Sequence, residues 1–303
     1  VACPNLAYTS DPGGIELFVY DGEAGDDSLT INTFWIDGTQ VLTPAVQFDA
    51  GNIQFQDNAF QNFVSSPLYF EGLGNGGSLT FTDVGRIDTL VYRGTDTDDD
   101  FDVDPAGVVL LNTRIPVNTP GIADLVLQGL DGDDTFVLHG QLPFNAVYVE
   151  GGNTSVGDVV VLVAPQQDVD VFIRPNDVEL SVTDITGLGS PIMTTGVEDI
   201  LFEGKEAYDQ DLTVDLGRGT AVARVENWVL SGTDRVSSNV LPNVHFTRVE
   251  DFQLEGGNEP TIATFAIVGL EGAETYTYDS QSPGDSLIIE GTADADDFTA
   301  SLD

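Results

Sequence analysis

Apolar and polar residues alternate with a period of two in the most informative stretches of this chain. The clearest examples are residues 15–20, 89–92, 125–127, 169–173 and 178–182. Each stretch is short, rich in β-branched and aromatic residues, and closed by Gly, Asn, Asp or Pro, which is typical of a β-strand. Helical periodicity is almost absent. The sequence therefore predicts an all-β fold in which helices are rare and short.

A nine-residue unit recurs along the chain, with glycine first, an acidic residue sixth and an apolar residue eighth. Its five copies are residues 22–30, 94–102, 129–137, 269–277 and 291–299, and the fourth has Glu274 where the others have Asp. Glycine permits a turn with positive φ, and the acidic side chain can accept hydrogen bonds from turn amides or bind a cation. Repetition of such a unit is typical of a fold built from stacked copies.

The glycines are regularly spaced. An apolar residue followed by Glu-Gly leads into Gly72, Gly151, Gly204, Gly256 and Gly291. The intervals 72–94, 129–151 and 269–291 are 22 residues each, whereas 151–204 is 53 and 204–256 is 52. One coil of a parallel β-solenoid needs about 20–30 residues, so the short interval fits one coil and the long intervals fit two. We expect the glycine turns to stack in a file along one edge.

Two architectures fit the strand pattern. The repeated spacing favours a parallel, β-helix-like β-solenoid, and the alternative is a series of tandem antiparallel β-sandwich domains. We expect a single elongated β domain over residues 1–303, since no Pro/Ser-rich linker divides it. Residues 39–66, which are rich in Gln, Asn and Phe and poor in repeats, form an inserted loop or a capping region in this interpretation.

Composition limits the partners. The chain has 303 residues, 41% of them hydrophobic, so it can bury a core despite 51 acidic against 9 basic residues and a net charge of −42. This balance argues against nucleic acid and anionic membranes as partners, because a cationic surface is missing. Such charge repels itself unless it is screened. Bound divalent cations and a saline environment are both open explanations.

Further features concern the location of the protein. Cys3 is the single cysteine, which excludes an internal disulfide framework, and it lies in a terminus or pairs with a second chain. No apolar run approaches the ~20 residues that span a bilayer, so we expect no membrane insertion. A start at Val1 fits a processed export product or a fragment of a longer chain.

The nine-residue units resemble the haemolysin-type calcium-binding repeat of secreted bacterial proteins, G-G-x-G-x-D-x-φ-x, where φ is apolar. Residues 129–137 match except for Leu130 at the second glycine, and residues 22–30 miss the same position, at Glu23. The units at Gly94 and Gly291 also lack the third glycine. The resemblance implies a parallel β-roll with Ca²⁺ between successive loops, although the units here are isolated rather than consecutive.

Calcium prefers about six to eight oxygen ligands, so neighbouring coils would have to complete each shell. The alternative is that the aspartates bond turn amides and face water. The candidate ligands are Asp26, Asp27, Asp98, Asp99, Asp131, Asp133, Asp134, Asp294, Asp296 and Asp297.

Catalytic candidates are few, and we expect that the protein is not an enzyme. The two histidines are His139, expected in a turn, and His245, expected in a strand. Common nucleophile, zinc, Walker and dinucleotide motifs are absent from the sequence. A β-helix polysaccharide hydrolase or lyase with paired carboxylates is the enzymatic alternative. Trp35 and Trp228 would suit a glycan-binding face, but their apolar strand context favours core packing.

The sequence thus predicts a secreted structural protein, a subunit or segment of a fibre, surface layer or adhesin. The units are similar in style to large, repetitive bacterial surface proteins. Self-association would run head to tail, which yields filaments. The alternative is a monomeric adhesin module that binds surface glycans.

Overall fold

The computed structural model describes residues 18–23, 25–32, 38–57, 62–63, 67–82, 88–179, 181–217, 220–228, 233–266, 270 and 273–291. These residues form 27 β-strands and no helix. The first thirteen strands are β1 (Phe18–Asp21), β2 (Ser28–Asn32), β3 (Gly38–Pro44), β4 (Gly51–Asp57), β5 (Asn62–Phe63), β6 (Leu68–Glu71), β7 (Ser78–Thr82), β8 (Thr89–Arg93), β9 (Asp100–Val103), β10 (Val108–Leu111), β11 (Val117–Asn118), β12 (Asp124–Asp131) and β13 (Thr135–His139).

The remaining strands are β14 (Ala146–Asn153), β15 (Val159–Val163), β16 (Val169–Pro175), β17 (Val182–Thr186), β18 (Ile192–Thr195), β19 (Asp199–Glu203), β20 (Gln210–Asp215), β21 (Ala221–Trp228), β22 (Thr233–Ser238), β23 (Asn243–Thr247), β24 (Val249–Glu255), β25 (Thr261–Ala266), β26 (Ala273–Asp279) and β27 (Ser286–Glu290). The described residues therefore confirm the all-β prediction. They contain no helix long and apolar enough to cross a lipid bilayer.

The strands form two large sheets that are mostly parallel. The 14-stranded sheet has the order β1-β6-β4-β3-β8-β12-β14-β18-β17-β16-β20-β24-β26, with β5 beside β4. The 13-stranded sheet has the order β2-β7-β11-β10-β9-β13-β15-β19-β23-β22-β21-β25-β27. Neither sheet closes on itself. Parallel pairing on this scale disagrees with the alternative of antiparallel sandwiches.

The chain alternates between the two sheets. For example, β12 and β14 pair in parallel in one sheet, while β13 and β15, which follow them in the chain, pair in parallel in the other. Within the described residues, four antiparallel excursions interrupt the pattern, at β3–β4–β6, β9–β10–β11, β16–β17–β18 and β21–β22–β23. Residues 39–66 include β3 and β4, which lie between β6 and β8 in the 14-stranded sheet.

Alternation along each strand places its apolar residues in the core. In β13 the pattern is half-buried, buried, half-buried, buried, half-buried, with Phe136 and Leu138 inside. The ring of Phe136 stacks on Phe101 of the neighbouring strand β9, with centroids 5.1 Å apart. Phe246 and Phe252 stack at 4.5 Å across the two sheets. Burial of each ring contributes roughly 1.5–3 kcal/mol to folding.

Every turn from a strand of the 14-stranded sheet into the next strand of the 13-stranded sheet belongs to what we call the acidic edge; the return turns form the opposite edge. Gly94 follows β8, Gly129 lies in β12 and Gly151 lies in β14, so all three are at the acidic edge. Gly129 and Gly151 are neighbours, because Gln128 pairs with Glu150 and Leu130 pairs with Gly152. This 22-residue interval does connect adjacent strands.

The prediction that all the glycine turns stack along one edge was wrong for other pairs. Gly204 follows β19 and Gly291 follows β27, both in the 13-stranded sheet, so these glycines belong to the opposite edge. The intervals 151–204 and 204–256 therefore do not join equivalent positions. Gly72 and Gly94 are not neighbours either, since β4 and β3 separate β6 from β8. The Glu-Gly lead-in marks a strand end in either sheet and does not identify the edge.

Candidate functional site

In the three repeat units at the acidic edge, the sixth residue folds back against the first. A Cβ atom placed on Gly129 would lie 2.1 Å from Oδ2 of Asp134. The corresponding distances are 2.6 Å from Gly94 to Asp99 and 2.9 Å from Gly22 to Asp27. Glycine and aspartate recur together because the carboxylate occupies the space of the missing side chain.

The second position of two units has a backbone conformation that glycine adopts more readily than other residues. Leu130 has φ of 82° and Glu23 has φ of 62°, in the left-handed region that disfavours residues with a Cβ. These are the positions at which the two best-matching units depart from the family pattern. At Glu23 and Leu130 the chain thus has a glycine-like backbone conformation without a glycine.

Carboxylates from four successive turns connect into what we call the carboxylate ladder: Asp99, Asp134, Asp158 and Glu198. The Asp99 N–H donates to Oδ1 of Asp134 at 2.8 Å, the Asp134 N–H donates to Oδ1 of Asp158 at 2.8 Å, and the Asp158 N–H donates to Oε2 of Glu198 at 2.8 Å. The carboxylates of Asp134, Asp158 and Glu198 therefore each satisfy a backbone amide on the neighbouring turn.

Sequence reasoning missed two members of the carboxylate ladder. Asp158 lies seven residues after Gly151, and a Cβ on Gly151 would be 2.4 Å from its Oδ2, so this pair has the same contact with a longer loop. Glu198 follows a short turn after β18 and reaches the same amide position with a longer side chain. The Glu-Gly lead-in before Gly151 was the available signal. Asp158 was not recognised because the nine-residue unit fixes the distance between the glycine and the acidic residue.

The middle of the ladder is strongly desolvated. Asp134 is 1% exposed and Asp158 is fully buried, and Oδ2 of each has no hydrogen-bond partner. Burial raises the pKa of Asp134 to about 7, with further contributions from the charges of nearby carboxylates such as Asp158. Burial also raises the pKa of Asp158, with Glu198 and Asp133 acting in the same direction. Asp134 and Asp158 therefore carry protons at higher pH than ordinary aspartates do.

Asp133, next to the ladder, has the opposite character. Its carboxylate accepts hydrogen bonds from the Thr154 hydroxyl at 2.7 Å and from the backbone N–H groups of Ser155 at 2.8 Å and Val156 at 2.7 Å. These donors hold the pKa of Asp133 well below its usual range. Its oxygens therefore organise the 154–157 turn.

The other described candidate ligands also contact neighbouring turns. Oδ1 of Asp98 accepts the Asp133 N–H at 2.9 Å, and Oδ1 of Asp26 accepts the Gly76 N–H at 2.8 Å. Oδ1 of Asp131 accepts a hydrogen bond from the Asn153 amide at 2.8 Å. These contacts agree with the interpretation that the aspartates bond turn groups.

A calcium shell is not preformed in the part of the chain that the structure describes. There, no group of three or more His, Cys, Asp or Glu residues is arranged to hold a metal ion. The Oδ2 atoms of Asp134 and Asp158, which have no hydrogen-bond partner, are enclosed against Gly129 and Gly151. Asp294, Asp296 and Asp297 lie outside the described residues, so calcium binding by the last unit stays a prediction.

The two histidines lie in strands of the 13-stranded sheet. His139 is the last residue of β13, not a turn residue as expected, and its Nε2 is 3.4 Å from Asp102 Oδ1. His245, in β23 as expected, has Nε2 2.9 Å from Asp199 Oδ1, and this hydrogen bond lowers the pKa of Asp199. Trp35, the Trp228 side chain and Cys3 lie outside the described residues.

Comparisons with protein-family models, with curated proteins and with solved structures each find no match to this chain.

Proposed function

We propose that this chain is a structural segment of an extracellular fibre, surface layer or adhesin, built as a parallel β-solenoid of stacked two-strand coils. One observation carries the proposal: parallel strands repeat in register in both sheets, and a continuous apolar core runs between them. In this interpretation the role is mechanical and not enzymatic, because backbone hydrogen bonds along the stack and the carboxylate ladder resist separation of the coils.

Self-association through the ends of the stack follows from the same geometry. Strands β26 and β27 are the last in the two sheets, and β1 and β2 are the first. Leu287 of β27 pairs with the buried Ala263, yet it is 46% exposed. Among the described residues, no further strand packs over this inward-facing side chain. The first strands of a second copy could cover it in a head-to-tail arrangement.

The acidic surface would regulate that association. Two ends of a chain with net charge −42 repel each other at low ionic strength, and salt screens this repulsion. Divalent cations would act in the same direction, either at the last repeat unit or at the surface in general. A comparison of self-association in sodium and in calcium at equal ionic strength separates general charge screening from a specific effect of the divalent cation.

Light scattering and negative-stain electron microscopy test the proposal at low salt, at high sodium chloride, and with calcium followed by a chelator. We expect filaments or end-to-end oligomers when the charge is screened. Leu287→Glu should block them, whereas Val178→Glu should not, since Val178 is 94% exposed in the loop between β16 and β17. A monodisperse monomer under all conditions contradicts self-assembly.

A further inference from the structure

An open cleft of about 270 Å³ lies where the carboxylate ladder ends. We call it the hydroxyl cleft. Its walls come from Ser181 and Thr183 at the start of β17, from residues 194–197 at the end of β18 and just after it, and from residues 238–242 at the end of β22 and in the loop to β23. Two of the antiparallel excursions meet here, β16–β17–β18 in one sheet and β21–β22–β23 in the other. The cleft is therefore a product of the interruption in the parallel stack.

The lining is polar but uncharged, in contrast to the rest of the acidic edge. Among its side chains are the hydroxyls of Ser181, Thr183, Thr194, Thr195 and Ser238, and none of the lining residues carries a formal charge. In a chain with 51 acidic residues, a neutral lining distinguishes the cleft chemically from the surrounding acidic surface. It offers neither the carboxylates that a cation needs nor the positive charge that an anion needs.

Two hydroxyls at the cleft have unused hydrogen-bonding capacity. The Thr194 side chain is 2% exposed, and its Oγ1 has no hydrogen-bond partner, which is an unfavourable arrangement for a buried hydroxyl. Oγ of Ser238 accepts the N–H groups of Leu241 at 3.0 Å and Val240 at 3.3 Å, so its own O–H is left to donate.

Apolar surface completes the cleft. Val197 and Leu241 are buried, and Val240 is half-buried, beside the hydroxyls. A saccharide presents hydroxyl groups around its ring and C–H groups on its faces, so one ligand can use both kinds of surface. The volume is close to the lower limit of about 300 Å³ for small-molecule pockets, which suits a ligand of one or two sugar units.

We propose that the hydroxyl cleft binds a neutral saccharide, with two hydrogen-bonding groups: the Ser238 hydroxyl and the Thr194 hydroxyl, which is enclosed in the free protein and turns toward the ligand by rotation about its Cα–Cβ bond. The surrounding carboxylates would disfavour acidic sugars by charge repulsion. The site does not depend on self-association, because it is formed within one chain and lies at β17, β18 and β22, in the interior of the strand order. Failure of filament formation would leave this proposal unaffected.

Saturation-transfer difference NMR tests the proposal with glucose, galactose, mannose and N-acetylglucosamine as separate probes. We expect at least one to bind, with a dissociation constant on the order of 1 mM, as is ordinary for a few hydrogen bonds. Glucuronate should bind more weakly than glucose. Absence of binding for all four neutral sugars, or equal binding of glucuronate and its neutral counterpart, overturns the proposal.

Variants locate the site. Thr194→Val removes the buried hydroxyl while keeping its shape, and should weaken binding about tenfold, the equivalent of one good hydrogen bond. Its melting temperature should be unchanged or higher, because the hydroxyl has no partner within the protein. Val240→Trp should fill the cleft and abolish binding.

The matched control is Thr213→Val, a buried threonine of β20 that does not line the cleft, and it should bind as the wild type does. If Thr194→Val and Val240→Trp both bind sugar with unchanged affinity while remaining folded, the saccharide binds elsewhere and the assignment of this cleft is wrong.

Discussion

The turns at Asp134 and Asp285 use the same contact with opposite electrostatic results. Each carboxylate accepts a backbone N–H from a neighbouring turn at 2.8 Å, from Asp99 in the first case and from Thr261 in the second. In each case Oδ2 lies against a glycine, which is Gly129 for Asp134 and Gly256 for Asp285. The pKa of Asp134 is nevertheless raised, whereas that of Asp285 is lowered.

The second oxygen explains the difference. Oδ2 of Asp134 has no donor, while Oδ2 of Asp285 accepts hydrogen bonds from the Ser280 hydroxyl at 3.0 Å and from the Gln281 and Ser282 N–H groups at 3.1 and 3.2 Å. Burial raises the pKa of Asp285 too, but hydrogen bonds, including that from Thr261, outweigh it. The backbone contact alone therefore does not decide the charge state; the environment of the second oxygen does.

The largest effect is expected from adding a methyl group at the two glycines. Gly129→Ala would place Cβ 2.1 Å from Asp134 Oδ2 and 2.4 Å from the backbone oxygen of Gly151, so we expect a loss of about 3 kcal/mol in the free energy of unfolding. At Gly256 the nearest atoms, at 2.7 and 2.9 Å, belong to side chains that can move, so Gly256→Ala should cost less. Urea unfolding measures both, and equal losses would contradict the steric account.

Replacing each carboxylate with an amide should change stability differently at the two positions. Asp285→Asn points an NH₂ group at the hydroxyl and N–H donors that bond the carboxylate, or leaves those donors unpaired. It should lower the free energy of unfolding by about 1–3 kcal/mol at pH 8. Asp134→Asn removes a buried charge whose second oxygen has no partner, and at the same pH should cost less or stabilise. Chemical unfolding of the two variants side by side is the measurement, and a larger loss for Asp134→Asn would argue against the assigned environments.

The contributions of Asp134 and Asp285 to stability should depend on pH with opposite signs. The folded-state pKa of Asp134, about 7, lies above its unfolded value near 4, so its protonation stabilises the fold as pH falls from 8 toward 5. We expect wild type to gain at least about 1 kcal/mol relative to Asp134→Asn over that range, since one pKa unit corresponds to ~1.4 kcal/mol.

The lowered pKa of Asp285 acts in the other direction. Its stabilising contribution is present above pH ~4 and is lost as pH falls through its folded-state pKa. The stability difference between wild type and Asp285→Asn should therefore stay constant from pH 8 to pH 5 and shrink only in more acidic solution. Parallel pH profiles of the two aspartate variants would contradict the comparison.

The smallest effect is expected at Leu130, whose left-handed backbone has no counterpart among the described non-glycine residues of the Asp285 turn. Leu130→Gly should relieve strain but lose side-chain contacts and add freedom to the unfolded chain, with a net gain of about 0.5 kcal/mol. Thermal unfolding against Leu130→Ala, which keeps the strain, isolates the backbone contribution. Equal stability of the two variants would mean that the strain is negligible.

The sequence predicted much of the local structure and less of the pairing. Period-two alternation identified strands such as 125–127 and 169–173, and the Gly-to-Asp spacing identified a true contact between Gly129 and Asp134. The antiparallel excursions, such as β17, were not predicted, because alternation is the same in a parallel and an antiparallel strand. Strand partners depend on distant segments that a local pattern does not contain.

The candidate site was also predicted in part. Asp99 and Asp134 were candidates, whereas Asp158 was missed because its loop is two residues longer than the repeat allows. The unsatisfied Oδ2 atoms depend on how neighbouring turns enclose the carboxylate, and residue identity alone does not specify this. The hydroxyl cleft depends on the meeting of two excursions from different sheets and left no recognisable motif.

The most direct test of the central claim, that buried carboxylates connect the acidic turns by accepting their backbone N–H groups, is a carboxyl-carbon NMR titration of Asp134 with and without calcium. We expect a pKa of about 7 that calcium does not change. An ordinary aspartate pKa near 4, or a pKa that falls when calcium is added, would contradict the claim.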